Sequence, residues 1–229
     1  MNKFTIVAII AILACFGGLI AWSTMKSQDT KSNISEYSSK KLIAANEENG
    51  GIADRVRGSE DAKVLVVEYA DFECSGCAAA APKISQLYEQ YQDRVQFVFR
   101  NYPLQYHQNA RAAAAAAEAA GMQGKYWEMM ESLYSNRADW IEESEQTRTD
   151  AFAKIFKDIA ENGDEEQFRA DMGSENIKKK IDFDRDIGKA EGVDATPTFY
   201  VNGEKVDFSS ENGDVKTLVE AKIKKALGE

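Results

Sequence analysis

Val66-Val67-Glu68-Tyr69-Ala70-Asp71-Phe72-Glu73-Cys74-Ser75-Gly76-Cys77, written VVEYADFECSGC, joins an apolar run to two cysteines three positions apart. On its upstream side, Val64 to Tyr69 is short and rich in β-branched residues, the composition of a strand buried on both faces. Downstream, Ala78 to Tyr91 carries Ile84, Leu87, Tyr88 and Tyr91 at spacings of three and four, one face of an amphipathic helix. Pro82 lies several residues inside that helix and predicts a kink. The cysteines therefore stand where a strand ends and a helix begins.

Working outward, Val95 to Arg100 reads as a second strand, so strand, helix and strand make a βαβ unit with parallel strands. From Asn109 to Glu191 the pattern is helical almost throughout. Arg111 to Ala120, Lys125 to Tyr134, Asp150 to Ile159, Asp164 to Met172 and Ser174 to Lys189 form successive segments, with Gly121, Gly163, Gly173 and Gly192 placed as helix stops. The face bearing Tyr126, Trp127, Met130, Leu133 and Tyr134 reads as core in preference to a binding groove. Thr198 to Val201, Asn202-Gly203 and Glu204 to Asp207 then spell a hairpin, because Asn-Gly supplies the positive φ angles of a tight primed turn. Asp214 caps a last helix to Leu227. The fold class is α/β: βαβ, an inserted all-helical block, then ββα.

The 38 acidic against 28 basic side chains give a formal charge of -10, which disfavours a nucleic-acid partner. At the N-terminus, Phe4 to Trp22 is 19 residues without a charge behind Lys3. As a helix it reaches roughly 28 Å, about the hydrocarbon thickness of a bilayer, which favours an uncleaved transmembrane anchor. Ala21-Trp22-Ser23 also offers a cleavage site that would release a secreted protein, and Ile12-Leu13-Ala14-Cys15 weakly resembles a lipoprotein box. Each reading puts the remainder outside the cytoplasm. Residues 24–51 are polar and poor in large apolar side chains, the composition of a flexible tether. The expected organisation is then anchor or signal over 1–23, linker over 24–51, a first globular part over 52–104, a helical insertion over 105–191 and a second globular part over 192–229.

Cys15 lies in the apolar N-terminal run, so only Cys74 and Cys77 can act together. A sulfur at a helix start meets unpaired backbone N–H groups and the positive end of the helix dipole, which favours the thiolate. Cys74 is then the exposed nucleophile and Cys77, one turn on, the resolving thiol. Three alternatives stand beside dithiol chemistry. A zinc site lacks ligands, since the exported part adds only His107; a structural disulfide across two residues closes too small a loop to restrict the unfolded chain; and buried inert thiols are unusual outside the cytoplasm. No cofactor or metal is expected. His107 itself reads as a structural or surface group near the domain junction.

EYADFECSGC, VQFVFRNYPL, HQNARAAAAAAEAAGMQGKYWEMMESLY and GVDATPTFYVNG together resemble the DsbA-like branch of the thioredoxin superfamily over most of residues 56–227. The resemblance implies a thioredoxin fold with the helical insertion, and a cis-proline loop at Thr196-Pro197 that packs beside the cysteines and pairs with the substrate backbone. It also implies that Glu68 is a buried acid near the resolving cysteine, with a raised pKa and able to take a proton from Cys77; the alternative has Glu68 facing solvent. Ser75-Gly76 departs from the better-known pattern by lacking both proline and histidine between the cysteines, so the dipeptide leaves oxidising strength open. The expected activity is extracytoplasmic thiol-disulfide exchange, oxidising exported unfolded or newly folded thiol-containing proteins, with a membrane redox partner to reset the pair. A reductase or isomerase driven by a membrane electron donor is the first alternative, and a tethered binding or chaperone module the second.

Overall fold

A computed structural model of the chain describes residues 34–209 and 214–229. The expected anchor at 1–23 and the linker residues up to 33 lie outside the described residues. Among the described residues no helix is long and apolar enough to cross a membrane. The chain divides into residues 1–37 and 38–229. In the first of these the described residues form one turn, with the Tyr37 N–H donating to the Ile34 carbonyl at 3.1 Å. The sheet and its helices all belong to the second.

Five strands make one sheet: β1 Arg55–Arg57, β2 Val64–Ala70, β3 Val95–Asn101, β4 Thr198–Val201 and β5 Glu204–Lys205, in the order β1-β3-β2-β4-β5. β2 and β3 are parallel with Val66 opposite Phe97, whereas β4 runs antiparallel to β2 with Glu68 opposite Phe199. All seven residues of β2 are buried, Glu68 included, as expected of a central strand covered on both faces.

The first helix of the second unit, α1, spans Ser75–Tyr91, starting three residues before the expected Ala78 and running through Pro82 without interruption. Cys74, with an extended backbone, is its N-cap, so the dipeptide and Cys77 become the first turn. Between β3 and β4 come α2 Ala110–Met122, α3 Tyr126–Ser135, a 3-10 turn at Arg137–Asp139, α4 Arg148–Ile159, α5 Glu165–Met172 and α6 Glu175–Ala190. The last helix, α7, is Val215–Leu227, capped by Asp214 through the Thr217 N–H. This is a thioredoxin-like fold carrying a helical insertion.

Period-2 alternation sorts the sheet's two faces. Val64 and Val66 pack with Ile84 and Leu87 of α1 and Val219 and Ile223 of α7. On the other face, Gly188 of α6 lies so close to the rings of Tyr69 and Tyr102 that any Cβ there would collide with them. The aromatic face of α3 is indeed core: Tyr126, Met130 and Leu133 join Phe152, Phe156 and Phe168 in one buried cluster that also takes in Cys77, Phe72 and Phe99. Cys77 is thus seated at the seam where the insertion meets the sheet.

The stretch 38–51 departs from the flexible tether expected of it. Ser39, Ile43 and Asn49 are buried. The cause is polar: the Arg100 guanidinium, fully buried under β3, pairs with Asp54 at 2.8 Å and donates to the carbonyls of Ser38 and Lys41, while Asp54 accepts from the Ile43 N–H. A buried cation needs every donor satisfied, and backbone from 38–43 supplies the acceptors. Gly121 also differs from expectation, lying inside α2, where it leaves room for the Arg55 guanidinium; Gly124, at φ +74°, makes the turn beyond it. The hairpin turn is as expected, with Asn202 and Gly203 both at positive φ.

Candidate active site

β2 delivers its C-terminal end to the sheet edge, and Asp71-Phe72-Glu73 carries the chain into α1. Cys74 caps that helix without any side-chain cap hydrogen bond, and its first turn holds no acidic residue. The amides left free there are those that face the Cys74 sulfur. Cys74 is half-buried and Cys77 fully buried, both as thiols.

The two sulfurs are driven apart in acidity. The Cys74 thiol is drawn down to about 5, first by a hydrogen bond from the Cys77 side chain, with help from the Thr196 side chain and the amides of Cys77 and Gly76, against the opposing effect of burial. Burial, then the same hydrogen bond, and then the nearby Glu68 charge push Cys77 up. One cysteine is therefore an accessible thiolate at neutral pH and the other a protonated thiol beneath it.

The Thr196-Pro197 peptide bond is cis, and the Thr196 carbonyl lies 3.4 Å from Cys74 Sγ. Thr196 Oγ1 is buried and makes no hydrogen bond of normal geometry, so the Thr196 contribution is secondary to that of Cys77. Gly76 completes the arrangement: a Cβ built on it would stand 3.6 Å from both Cys74 Sγ and Pro197 Cδ, ordinary contact with each. From here an open cleft of about 950 Å³ runs between α1 and the hairpin, walled by Ala79, Ala80, Pro197, Val206 and the partly exposed Phe208.

Glu68 is buried, not turned to solvent. It is enclosed by Arg57, Ala81, Phe99, Trp127 and Tyr134. Burial pushes its carboxyl up to about 8, with the Arg57 charge opposing. Arg57 is held between the rings of Tyr88 and Trp127, at 4.2 and 4.7 Å from their centroids. Of the residues singled out in the sequence, Cys74, Cys77, Thr196 and Pro197 meet at one point, and Glu68 stands behind them within electrostatic reach of Cys77.

Three residues of this neighbourhood were not legible as such. Asp71, Arg137 and, in this role, His107 surround the segment that leads into Cys74. The Asp71 carboxylate, 1% exposed, lies 2.8 Å from His107 Nδ1. The Arg137 guanidinium donates to the Glu73 carbonyl through both Nε and Nη2, at 3.1 and 2.5 Å. The available signal was Asp71 itself, a carboxylate at the end of a strand that is apolar apart from Glu68.

A strand-to-helix dithiol beside a cis proline, on a sheet of this order, defines a thioredoxin-fold redox protein. The thioredoxin family model matches residues 51–221, and the chain belongs to that family. The probable disulfide bond formation protein D of Bacillus cereus is 31% identical over 232 residues, covering 96% of this chain and 95% of that protein. The Na(+)/H(+) antiporter NhaA 1 of Mycolicibacterium vanbaalenii is 37% identical over 153 residues, 66% of this chain and 23% of the antiporter. The chain thus spans a minor part of the length of the antiporters it matches. Among solved structures, oxidised BdbD from Bacillus subtilis is similar with a TM-score of 0.63 at 22% identity, covering 84% of this chain and 100% of that one, a likeness of fold.

Proposed function

We propose that this protein oxidises thiols of exported polypeptides outside the cytoplasm, with the Cys74–Cys77 disulfide as its oxidant. The observation that carries the reading is the stabilised Cys74 thiolate. A thiolate held well below its ordinary pKa favours the reduced form of the pair, and a pair with a stabilised reduced form is the stronger oxidant. This supports a direction that Ser75-Gly76 by itself left open.

The chemistry balances as two exchanges. A substrate thiolate attacks Cys74 Sγ and the Cys74–Cys77 bond breaks, with the electron pair leaving on Cys77. Cys77 is buried, so it takes a proton, for which Glu68, protonated up to about pH 8, is the donor at hand. A second substrate thiolate then attacks the substrate sulfur of the mixed disulfide and expels Cys74 as its stabilised thiolate. Two electrons have passed to the pair, which a membrane redox partner must take away. In the cleft, Thr196 and Pro197 present backbone to an extended substrate chain. The apolar run Phe4–Trp22 supports attachment to the membrane, with the catalytic part on the outer side.

Cys77→Ala tests the reading directly. With its Cys74 first joined to glutathione as a mixed disulfide, it should exchange the glutathione for unfolded thiol-containing proteins and accumulate those adducts on Cys74, while Cys74→Ala accumulates none. Absence of any adduct in Cys77→Ala, or a pair as reducing as thioredoxin when equilibrated with glutathione, would overturn the oxidising role.

A further inference from the structure

Residues 71–74 belong to neither β2 nor α1, yet the segment is tied both within itself and, at Asp71 and Glu73, from outside. The Asp71 carboxylate accepts the Glu73 N–H on Oδ1 at 2.7 Å and the Leu104 N–H on Oδ2 at 2.7 Å, and Oδ2 also faces His107 Nδ1 at 2.8 Å. Because Oδ2 is an acceptor, the imidazole proton facing it sits on Nδ1. The Asp71 carbonyl receives the Cys74 N–H at 3.1 Å. Glu73 Oε2 accepts the Asn109 N–H at the start of α2 at 2.6 Å, and the fork of Arg137 closes on the Glu73 carbonyl, the peptide group that adjoins Cys74. All the outside groups, Leu104, His107, Asn109 and Arg137, come from the stretch between β3 and α4.

We propose that the helical insertion sets the reactivity of the cysteine pair through this clamp, with Asp71, His107 and Arg137 as positioning residues for the Cys74 sulfur. The inference rests on the reading of Cys74 as the attacking thiol. Amides of Gly76 and Cys77 stabilise that sulfur only while the chain enters α1 at a fixed angle, and α1 has no side-chain cap or acidic first turn of its own to fix it. The clamp supplies the missing constraint. Groups with no contact to sulfur or substrate thereby hold the amides that touch it.

A purely architectural clamp would affect stability and leave the chemistry alone, so the test reads both. The reduced full chain is titrated by the ultraviolet absorbance of its thiolate, equilibrated with glutathione, and melted, as wild type and as His107→Ala, His107→Asn and Arg137→Ala. In His107→Asn the side-chain amide nitrogen takes the place of Nδ1. The expected result is an upward shift of the Cys74 titration by about one pH unit, a tenfold fall in its ionisation constant, in His107→Ala and Arg137→Ala, with recovery in His107→Asn. The glutathione equilibrium should move toward a more reducing pair in step. Should His107→Ala fail to fold, Arg137→Ala carries the test, because that side chain is half-exposed and its removal leaves room for solvent. Variants that melt lower but titrate like the wild type would overturn the inference. A wild type with no thiolate at neutral pH would instead overturn the reading of Cys74 as nucleophile, and the clamp's role with it.

Discussion

Cys74 Sγ and the Thr196 carbonyl oxygen lie 3.4 Å apart across the junction of α1 and the proline loop. In the thiol form the sulfur donates to that oxygen. Once Cys74 ionises the donor is gone, and a carbonyl facing an anionic sulfur calls for another. On the proposed function, a peptide N–H from a substrate chain lying in the cleft would supply it. A substrate peptide N-methylated at the amide beside its cysteine should therefore bind about fivefold more weakly than the parent, the worth of one ordinary hydrogen bond. Competition binding to the Cys77→Ala variant measures this, and equal affinity would remove Thr196 from the substrate site.

The reduction potential should depend on pH with two slopes. Below about pH 5 both thiols are protonated and oxidation releases two protons; above it Cys74 is already a thiolate and oxidation releases one. Each proton contributes about 30 mV per pH unit to a two-electron couple, so the slope should halve, from about 59 to about 30 mV per unit. The sign follows from the depressed pKa: stabilisation of the reduced form is full above the unfolded thiol value and is lost as pH falls through about 5. A single slope through pH 5 contradicts the assignment.

Glu68 should leave the opposite signature in stability. Its folded pKa is raised to about 8, so between the ordinary glutamate value of 4.5 and 8 the folded state binds more protons than the unfolded state, and stability falls as pH rises across that window. Glu68→Gln should flatten this dependence in denaturant unfolding of the reduced protein and raise its melting temperature on the alkaline side. The same variant should slow the exchange steps in which Cys77 gains or loses its proton by about tenfold or more. A variant that keeps the wild-type pH dependence would show that Glu68 is not the titrating group.

Asp54 should be among the costliest side chains to neutralise. It is buried between Arg100 and Lys180, both of which have fully buried side chains, and Asp54→Asn leaves those cations short of a counter-charge. A loss of about 3–5 kcal/mol in denaturant unfolding is expected. The exposed pair Arg94 and Glu229 provides the contrast, since Arg94→Ala should cost well under about 1 kcal/mol. Similar effects from the two would mean that the Asp54 network adds no more than a surface contact.

What the sequence revealed and what it hid divide along a physical line. Apolar periodicity exposed β2, α1, β3 and α7, because burial of one face is written into the spacing of Ile84, Leu87, Val219 and Ile223. Asn202-Gly203 was legible because few residues accept positive φ there. β1 was not: Arg55-Val56-Arg57 is too short and too charged to look like a strand, and it exists because β3 offers a free edge and Glu118 and Glu131 offer counter-charges. Residues 38–51 misled for the same reason. Their ordering comes from hydrogen bonds to Arg100 and Asp54, and partners far away in sequence leave no local pattern. At the site, cysteine spacing and the Thr-Pro pair were readable, whereas the pairing of Asp71 with His107 joins two loops that only the fold brings together.

Asp71 also gives two irregular segments the behaviour of regular ones. The Glu73 and Leu104 amides belong to loops, yet both are tied to one buried carboxylate. Their exchange with solvent deuterium should therefore be slow and should track opening of the surrounding domain instead of local fluctuation. The rim on which the cysteines stand would then be as stiff as the sheet behind it, and adaptation to differently shaped partners would fall to the hairpin side of the cleft.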